Sequence, residues 1–134
     1  MTIDIQKSAI DIGIITKNPE AMLKFYHEIL GLELETVIDM PGGGVMNRLK
    51  VGDSVIKIID TQPQPSAEAA PGGIRGATGY RYWTITVGNL AQCIAKLDEH
   101  DYKIIVASKV VRPGVTIAIV ADPDGNWLEL LENS

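Results

Sequence analysis

The chain alternates between two hydrophobic rhythms in a fixed order. Residues 8–16, SAIDIGIIT, set Ile10, Ile12 and Ile14 against Ala9, Asp11, Gly13 and Ile15, the period-two pattern of a half-buried strand. Residues 18–31, NPEAMLKFYHEILG, then change to helical spacing. Met22, Phe25, Tyr26 and Ile29 form the apolar stripe, Asn18 is placed to cap the start with Pro19 and Glu20 in the first turn, and Gly31 marks the stop. Three strands follow over 32–40, 45–51 and 55–60, separated by the glycine run PGGG (41–44), read as a hairpin connection, and by GDS (52–54).

The same order then returns. YRYWTITV (80–87) alternates like the first strand, and Asn89 stands before NLAQCIAKLDEH as Asn18 stands before the first helix. Leu90, Cys93, Ile94 and Leu97 supply the second stripe, and strands are predicted over 103–111, 115–121 and 126–132. Asn18 and Asn89 lie 71 positions apart, and order, caps and spacing agree, so the pattern is an internal repeat of a β-α-β-β-β unit. The expected organisation is one domain over 1–134: a first unit at about 8–60, an irregular Pro-, Gly- and Ala-rich connector over 61–79, and a second unit at about 80–132. Such a connector could cover a pocket or let the halves exchange between protomers.

Composition narrows the class. With 134 residues, 46% hydrophobic and 22% charged, the chain is globular and long enough to bury a core. A net charge of −5 with no basic stripe argues against a nucleic-acid partner. Apolar runs are too short to span a bilayer, and the first residues, MTIDIQKSAIDIG, lack the basic-then-apolar layout of a signal peptide. The single cysteine, Cys93, has no internal disulfide partner and falls on a core stripe, where an inert role is expected. His27 is expected on a solvated helix face and His100 at a helix end, neither as a catalyst. A cytoplasmic, acidic domain is the expectation.

The motifs that close each half add a resemblance. IGII after the first strand opening, FYHEILGLEL along the first helix, GYRYWTITVGNL opening the second half and DPDGNWLELLE closing it occur in order from about Ile10 to Glu132. In the last of these, Pro123 presets a turn φ and Gly125 can take the positive φ that closes it. Together they resemble the vicinal oxygen chelate superfamily, which includes glyoxalase I, extradiol dioxygenases, methylmalonyl-CoA epimerase and bleomycin or fosfomycin resistance proteins. The resemblance implies an α+β fold in which two tandem β-α-β-β-β units form incomplete barrels around a shared cleft. It also implies a small organic molecule as partner and pairing into a homodimer.

Metal-binding members place His or Glu ligands on the opening and last strands of each half. Carried onto this chain, those positions are Asp11, Lys57, Tyr82 and Glu129. Strand alternation independently puts all four on the faces turned away from the helices. Glu129 alone is a ligand type usual for the family, and the ammonium of Lys57 has no lone pair and repels a divalent cation. A metal is therefore disfavoured, although Asp11, Tyr82 and Glu129 could hold a hard ion by oxygen if Lys57 turned aside.

The leading expectation is that Lys57 replaces the metal, forming a charge network with Asp11 and Glu129 and with Tyr82 at its edge. The protein would then bind a small organic ligand, either sequestering it or catalysing proton transfer of the isomerase or lyase type. Lys57 would be the acid–base group, with Tyr82 and Glu129 assisting. The alternative is a metal-dependent glyoxalase or ring-cleaving dioxygenase with an oxygen-rich ligand set. Plainer readings stand beside these: Lys57 as an edge-strand lysine, Asp11 and Glu129 as its structural partners, Tyr82 as a packed ring. The apolar run VIKII favours a half-buried Lys57. Arg48 lies among mixed phases; on the cleft side it would grip a ligand carboxylate or phosphate. Thr84 and Thr86 share the face of Tyr82, and Arg81 points elsewhere.

Overall fold

A computed structural model describes residues 1–134. The chain divides into two compact units, Met1–Ser66 and Ala67–Ser134, each a β-α-β-β-β arrangement in the α+β class. The first contains β1 (Asp11–Ile15), α1 (Pro19–Leu23), β2 (Glu33–Asp39), β3 (Gly44–Val51) and β4 (Ser54–Thr61). The second contains β5 (Tyr82–Thr86), α2 (Leu90–Glu99), β6 (Ile104–Arg112), β7 (Val115–Ala121) and β8 (Trp127–Asn133). Each sheet is mixed, with spatial order β1-β4-β3-β2 and β5-β8-β7-β6. The opening strand runs parallel to the last one, and the rest of each sheet is antiparallel.

Each sheet buries one face under its helix. In the first unit Met22, Phe25, Tyr26 and Ile29 are buried, as the helical spacing predicts, with Leu49, Ile56 and Ile58 beneath them. The Phe25 and Tyr26 rings meet edge to face with centroids 4.7 Å apart. In the second unit α2 packs against β6, β7 and β8, and Leu97, Ala118, Val120, Leu128 and Leu130 are buried.

Three local expectations are corrected. The first helix does not run uniformly to its stop: after Leu23 it widens into a π-helical segment, Lys24–Ile29, and the Leu30 N–H donates to Phe25 O, five residues back. Both asparagines stand at helix starts, but neither side chain makes the cap bond. At α2 the carboxylate of Glu132, arriving from β8, accepts the Leu90 N–H at 2.8 Å. His27 is half-buried rather than solvated. Its Nδ1 lies 2.7 Å from Leu32 O and, since a carbonyl only accepts, carries the proton there. No helix is long and apolar enough to cross a membrane.

Candidate functional site

The faces left open by the helices carry the polar residues of interest, and each unit is built on the same ladder. In the first, β1 pairs Asp11 with Val55, Gly13 with Lys57 and Ile15 with Ile59. Ile12 and Ile14 alternate with these, as do Ile56 and Ile58, so Asp11 and Lys57 stand on the side away from α1. On the other side of β4, Arg48 is the direct partner of Lys57, and partners across a ladder share a face. That resolves the orientation of Arg48. A register shift in β2 between Leu34 and Thr36 brings Glu35 to it, and Arg48 Nε donates to Glu35 Oε1 at 2.8 Å.

The expected bond between Asp11 and Lys57 is absent. Asp11 Oδ1 instead accepts from Lys7 Nζ at 2.9 Å and from the Val55 N–H at 3.2 Å. The Lys7 hydrogen bond is the main reason its carboxyl sits below the usual aspartate range; Lys57 adds the least, as a charge at a distance. Lys57 itself is half-buried between Val55 and Ile59, which are both buried, and makes no hydrogen bond or ion pair in its unit.

In the second unit, Tyr82, Thr84 and Thr86 share the open side of β5, paired with Trp127, Glu129 and Leu131 of β8. Thr84 Oγ1 donates to Glu129 Oε1 at 2.9 Å, while Tyr82 is 50% exposed. Glu129 lies along its strand between Trp127 and Leu131 and across the ladder from Ile119. Those three residues belong to an apolar cluster with Val115, Ile117, Ile105 and Val106. The carboxylate is thus a polar point on an apolar floor, oriented by a neighbouring hydroxyl.

Two supports of this floor were not read from the sequence. Arg81 faces the connector and holds three of its carbonyls: Nε donates to Gly73 O at 2.6 Å, and Nη2 to Ala70 O at 2.8 Å and Pro71 O at 3.1 Å. The single turn Gly73–Arg75 is thereby set against the Trp127 indole, so closely that a Cβ on Gly73 would meet ring carbons at 2.1 to 2.3 Å. The segment read as irregular is, over 70–76, a fastened border of the second sheet. The other support is Asp122, only 4% exposed. Its Oδ1 accepts the N–H groups of Asp124 (3.0 Å) and Asn126 (2.9 Å), and its Oδ2 accepts Asn126 Nδ2 at 2.9 Å. This turn, closed by Gly125 at φ +86°, launches β8 and so aims Trp127 and Glu129.

The sequence profile of the Glyoxalase/Bleomycin resistance protein/Dioxygenase superfamily matches residues 9–130. The chain belongs to that superfamily. Solved members of the glyoxalase family agree over nearly the full length. One from Enterococcus faecalis is 27% identical, with 96% of this chain and 97% of that one covered and a TM-score of 0.66. Another, from Bacillus cereus, is 16% identical with 98% and 96% covered and a TM-score of 0.84. A lactoylglutathione lyase from Agrobacterium tumefaciens shares the fold at 20% identity, with 92% and 91% covered and a TM-score of 0.65. No curated protein matches the sequence.

Within this superfamily member, no three His, Cys, Asp or Glu side chains stand together in a metal-binding group. Cys93 is half-buried; burial pushes its thiol up, and its Sγ lies 3.5 Å from Asn89 Oδ1. It therefore carries little thiolate near neutrality.

Proposed function

We propose that this glyoxalase-superfamily chain binds a small, partly apolar organic molecule on the open faces of its sheets without a divalent metal. Lys57 is the group that meets the ligand. The observation that carries this reading is the state of Lys57: a half-buried ammonium on an open sheet face, flanked by buried Val55 and Ile59 and without a carboxylate partner in its unit. An ammonium with no carboxylate partner keeps its charge available, which suits a residue whose partner arrives with the ligand. It stands where the family resemblance would put a metal ligand, and an ammonium cannot ligate. On that face Asp11 is already engaged by Lys7, which leaves no free carboxylate to draw a cation in.

Binding alone gives sequestration. Proton transfer becomes available where the ligand is a carbon acid: a Lys57 amine would take the proton and return it, and its ammonium form would stabilise a developing oxyanion. On the second sheet, the Tyr82 hydroxyl can donate and Glu129 accept, with the half-buried Trp127 and Leu131 holding apolar groups. Pairing of two copies is also part of the proposal. The outer strand β2 exposes Val37 and Ile38, and β6 exposes Val110 and Val111, apolar edges that a soluble monomer usually blunts.

The test is elemental analysis of the purified protein after gel filtration without chelator, joined to ligand screening of the wild type and Lys57→Met. The expected result is metal far below one per chain, ligand binding unaffected by chelation, and binding weakened in the variant. One tightly held divalent ion per chain, with binding abolished by its removal, would overturn the metal-free reading in favour of a metal-dependent lyase or dioxygenase. Sedimentation equilibrium on the same preparation reads the pairing.

A further inference from the structure

The first sheet carries three cations, Arg48, Lys50 and Lys57, and two of them are neutralised from β2. Arg48 meets Glu35 at 2.8 Å, and Lys50 meets Glu33 at 3.5 Å. Lys57 is left with its charge unmet, directly opposite Arg48 in the ladder. Like charges facing each other across a sheet repel, and here the more buried of the pair's neighbours, Val55 and Ile59, offer no polar relief.

On the other flank the partner of Lys57 is Gly13. Nothing in the fold demands a glycine there. Its φ is not in the left-handed region, and an added Cβ would find only Ile59 Cδ1, at an ordinary 3.9 Å. A glycine inside a strand weakens it by conformational entropy and gives it no side chain to pack. What it does provide is room beside the ammonium.

We propose that Lys57 and the space left by Gly13 form an anchor for the carboxylate of a small apolar acid. The inference rests on the ligand-binding reading above and names the ligand class. A single available positive charge suits a monoanion, since Arg48 and Lys50 are already held by glutamates and could not serve a dianion without breaking those pairs. Ile15, 49% exposed on the same face, offers accessible apolar surface to a hydrocarbon body behind the carboxylate. Lys57 thus supplies the charge, and the sheet face supplies the rest of the affinity.

The experiment titrates the full chain with 1-naphthoate and its neutral isostere 1-naphthamide, following probe fluorescence, for the wild type, Lys57→Met, Lys57→Arg and Gly13→Ala. The wild type is expected to prefer naphthoate by about tenfold, roughly the worth of one charge-assisted hydrogen bond. The preference should shrink as salt is raised. In Lys57→Met the ratio of the two affinities falls towards one, whereas Lys57→Arg keeps it above one. Gly13→Ala, which the backbone accepts, weakens naphthoate by filling the space. Equal binding of the two probes by the wild type, or a preference that survives Lys57→Met, would overturn the carboxylate anchor and leave small-molecule binding standing. Failure of both probes to bind at millimolar concentration would overturn the binding reading and the anchor with it. Circular dichroism of each variant verifies that it is folded.

Discussion

Gly73→Ala tests whether the connector truly borders the apolar floor. Two costs are expected, and they can be separated. The first is backbone: Gly73 sits at φ +58°, a conformation that costs an L-residue about 1 kcal/mol. The second is steric. The new Cβ would lie 2.1 Å from Trp127 Cε2, whereas carbon atoms rest at about 3.5 to 4 Å, so ring and turn must part by more than an ångström. Parting them pulls Gly73 O and its neighbours from Arg81, which holds them by three hydrogen bonds of 2.6, 2.8 and 3.1 Å. At about 1 kcal/mol net for each bond, partly recovered from water, the extra loss is about 2 kcal/mol.

The control is Gly52→Ala, at a matching positive φ (+57°) but with nothing within 4 Å of the added Cβ. Urea denaturation of the two variants should show Gly73→Ala less stable than Gly52→Ala by about 2 kcal/mol. In a Trp83→Phe background, where Trp127 is the only tryptophan, emission should shift to the red for Gly73→Ala alone. Equal losses of stability with unshifted emission would refute the claim that residues 70–76 are fastened to the second sheet.

Asp122→Ala removes a buried acceptor from three donors of a partly exposed turn, and a cost of about 1 to 3 kcal/mol in urea denaturation is expected. A loss below about 0.5 kcal/mol, the scale of an ordinary surface change, would show that the turn closes without it. For Asp11, whose folded pKa lies below its unfolded one, the favourable contribution is present above the unfolded value and disappears as the pH falls through the folded one. Its carboxyl resonance should therefore titrate below the normal aspartate range and return upward in Lys7→Met. An unchanged midpoint in that variant would contradict Lys7 as the main cause.

The periodic pattern carried the architecture because burial on one face is what each element is built for. All eight strands and both helices fall where alternation and helical spacing put them, and strand phase correctly set Asp11, Lys57, Tyr82 and Glu129 on the open faces. The π-helical turn was not legible, since Met22, Phe25, Tyr26 and Ile29 give the same stripe whether the backbone closes on the fourth or fifth residue. Partners were less legible than faces. Glu132 caps a helix that begins 42 residues before it, and Asp11 is claimed by a lysine outside any periodic segment. Arg48 looked ambiguous because MNRLKV mixes polar and apolar residues on both phases, and its partner Glu35 is set by a bulge that one sequence does not show. Arg81 could have been suspected from its place beside a Gly- and Pro-rich run, whose turn carbonyls need donors.

The repeat gives the strongest reason to treat Lys57 and Glu129 as chemistry rather than scaffold. The two ladders match rung for rung: Asp11 with Val55, Gly13 with Lys57 and Ile15 with Ile59 in one, Tyr82 with Trp127, Thr84 with Glu129 and Thr86 with Leu131 in the other. Folding asks the same of both units on the helix side, and there both answer with aliphatic residues, Ile56 and Ile58 against Leu128 and Leu130. On the open side the middle rungs differ in sign. One carries an ammonium beside a glycine, the other a carboxylate beside a threonine hydroxyl that binds it at 2.9 Å. A structural role would be served by the same neutral pair in each unit. All three open-side rungs differ between the units, and at the middle one Glu129 accepts a hydrogen bond within its own rung while Lys57 makes none. The Lys57 rung leaves its ammonium to be satisfied from outside the sheet, which is the property a ligand anchor requires.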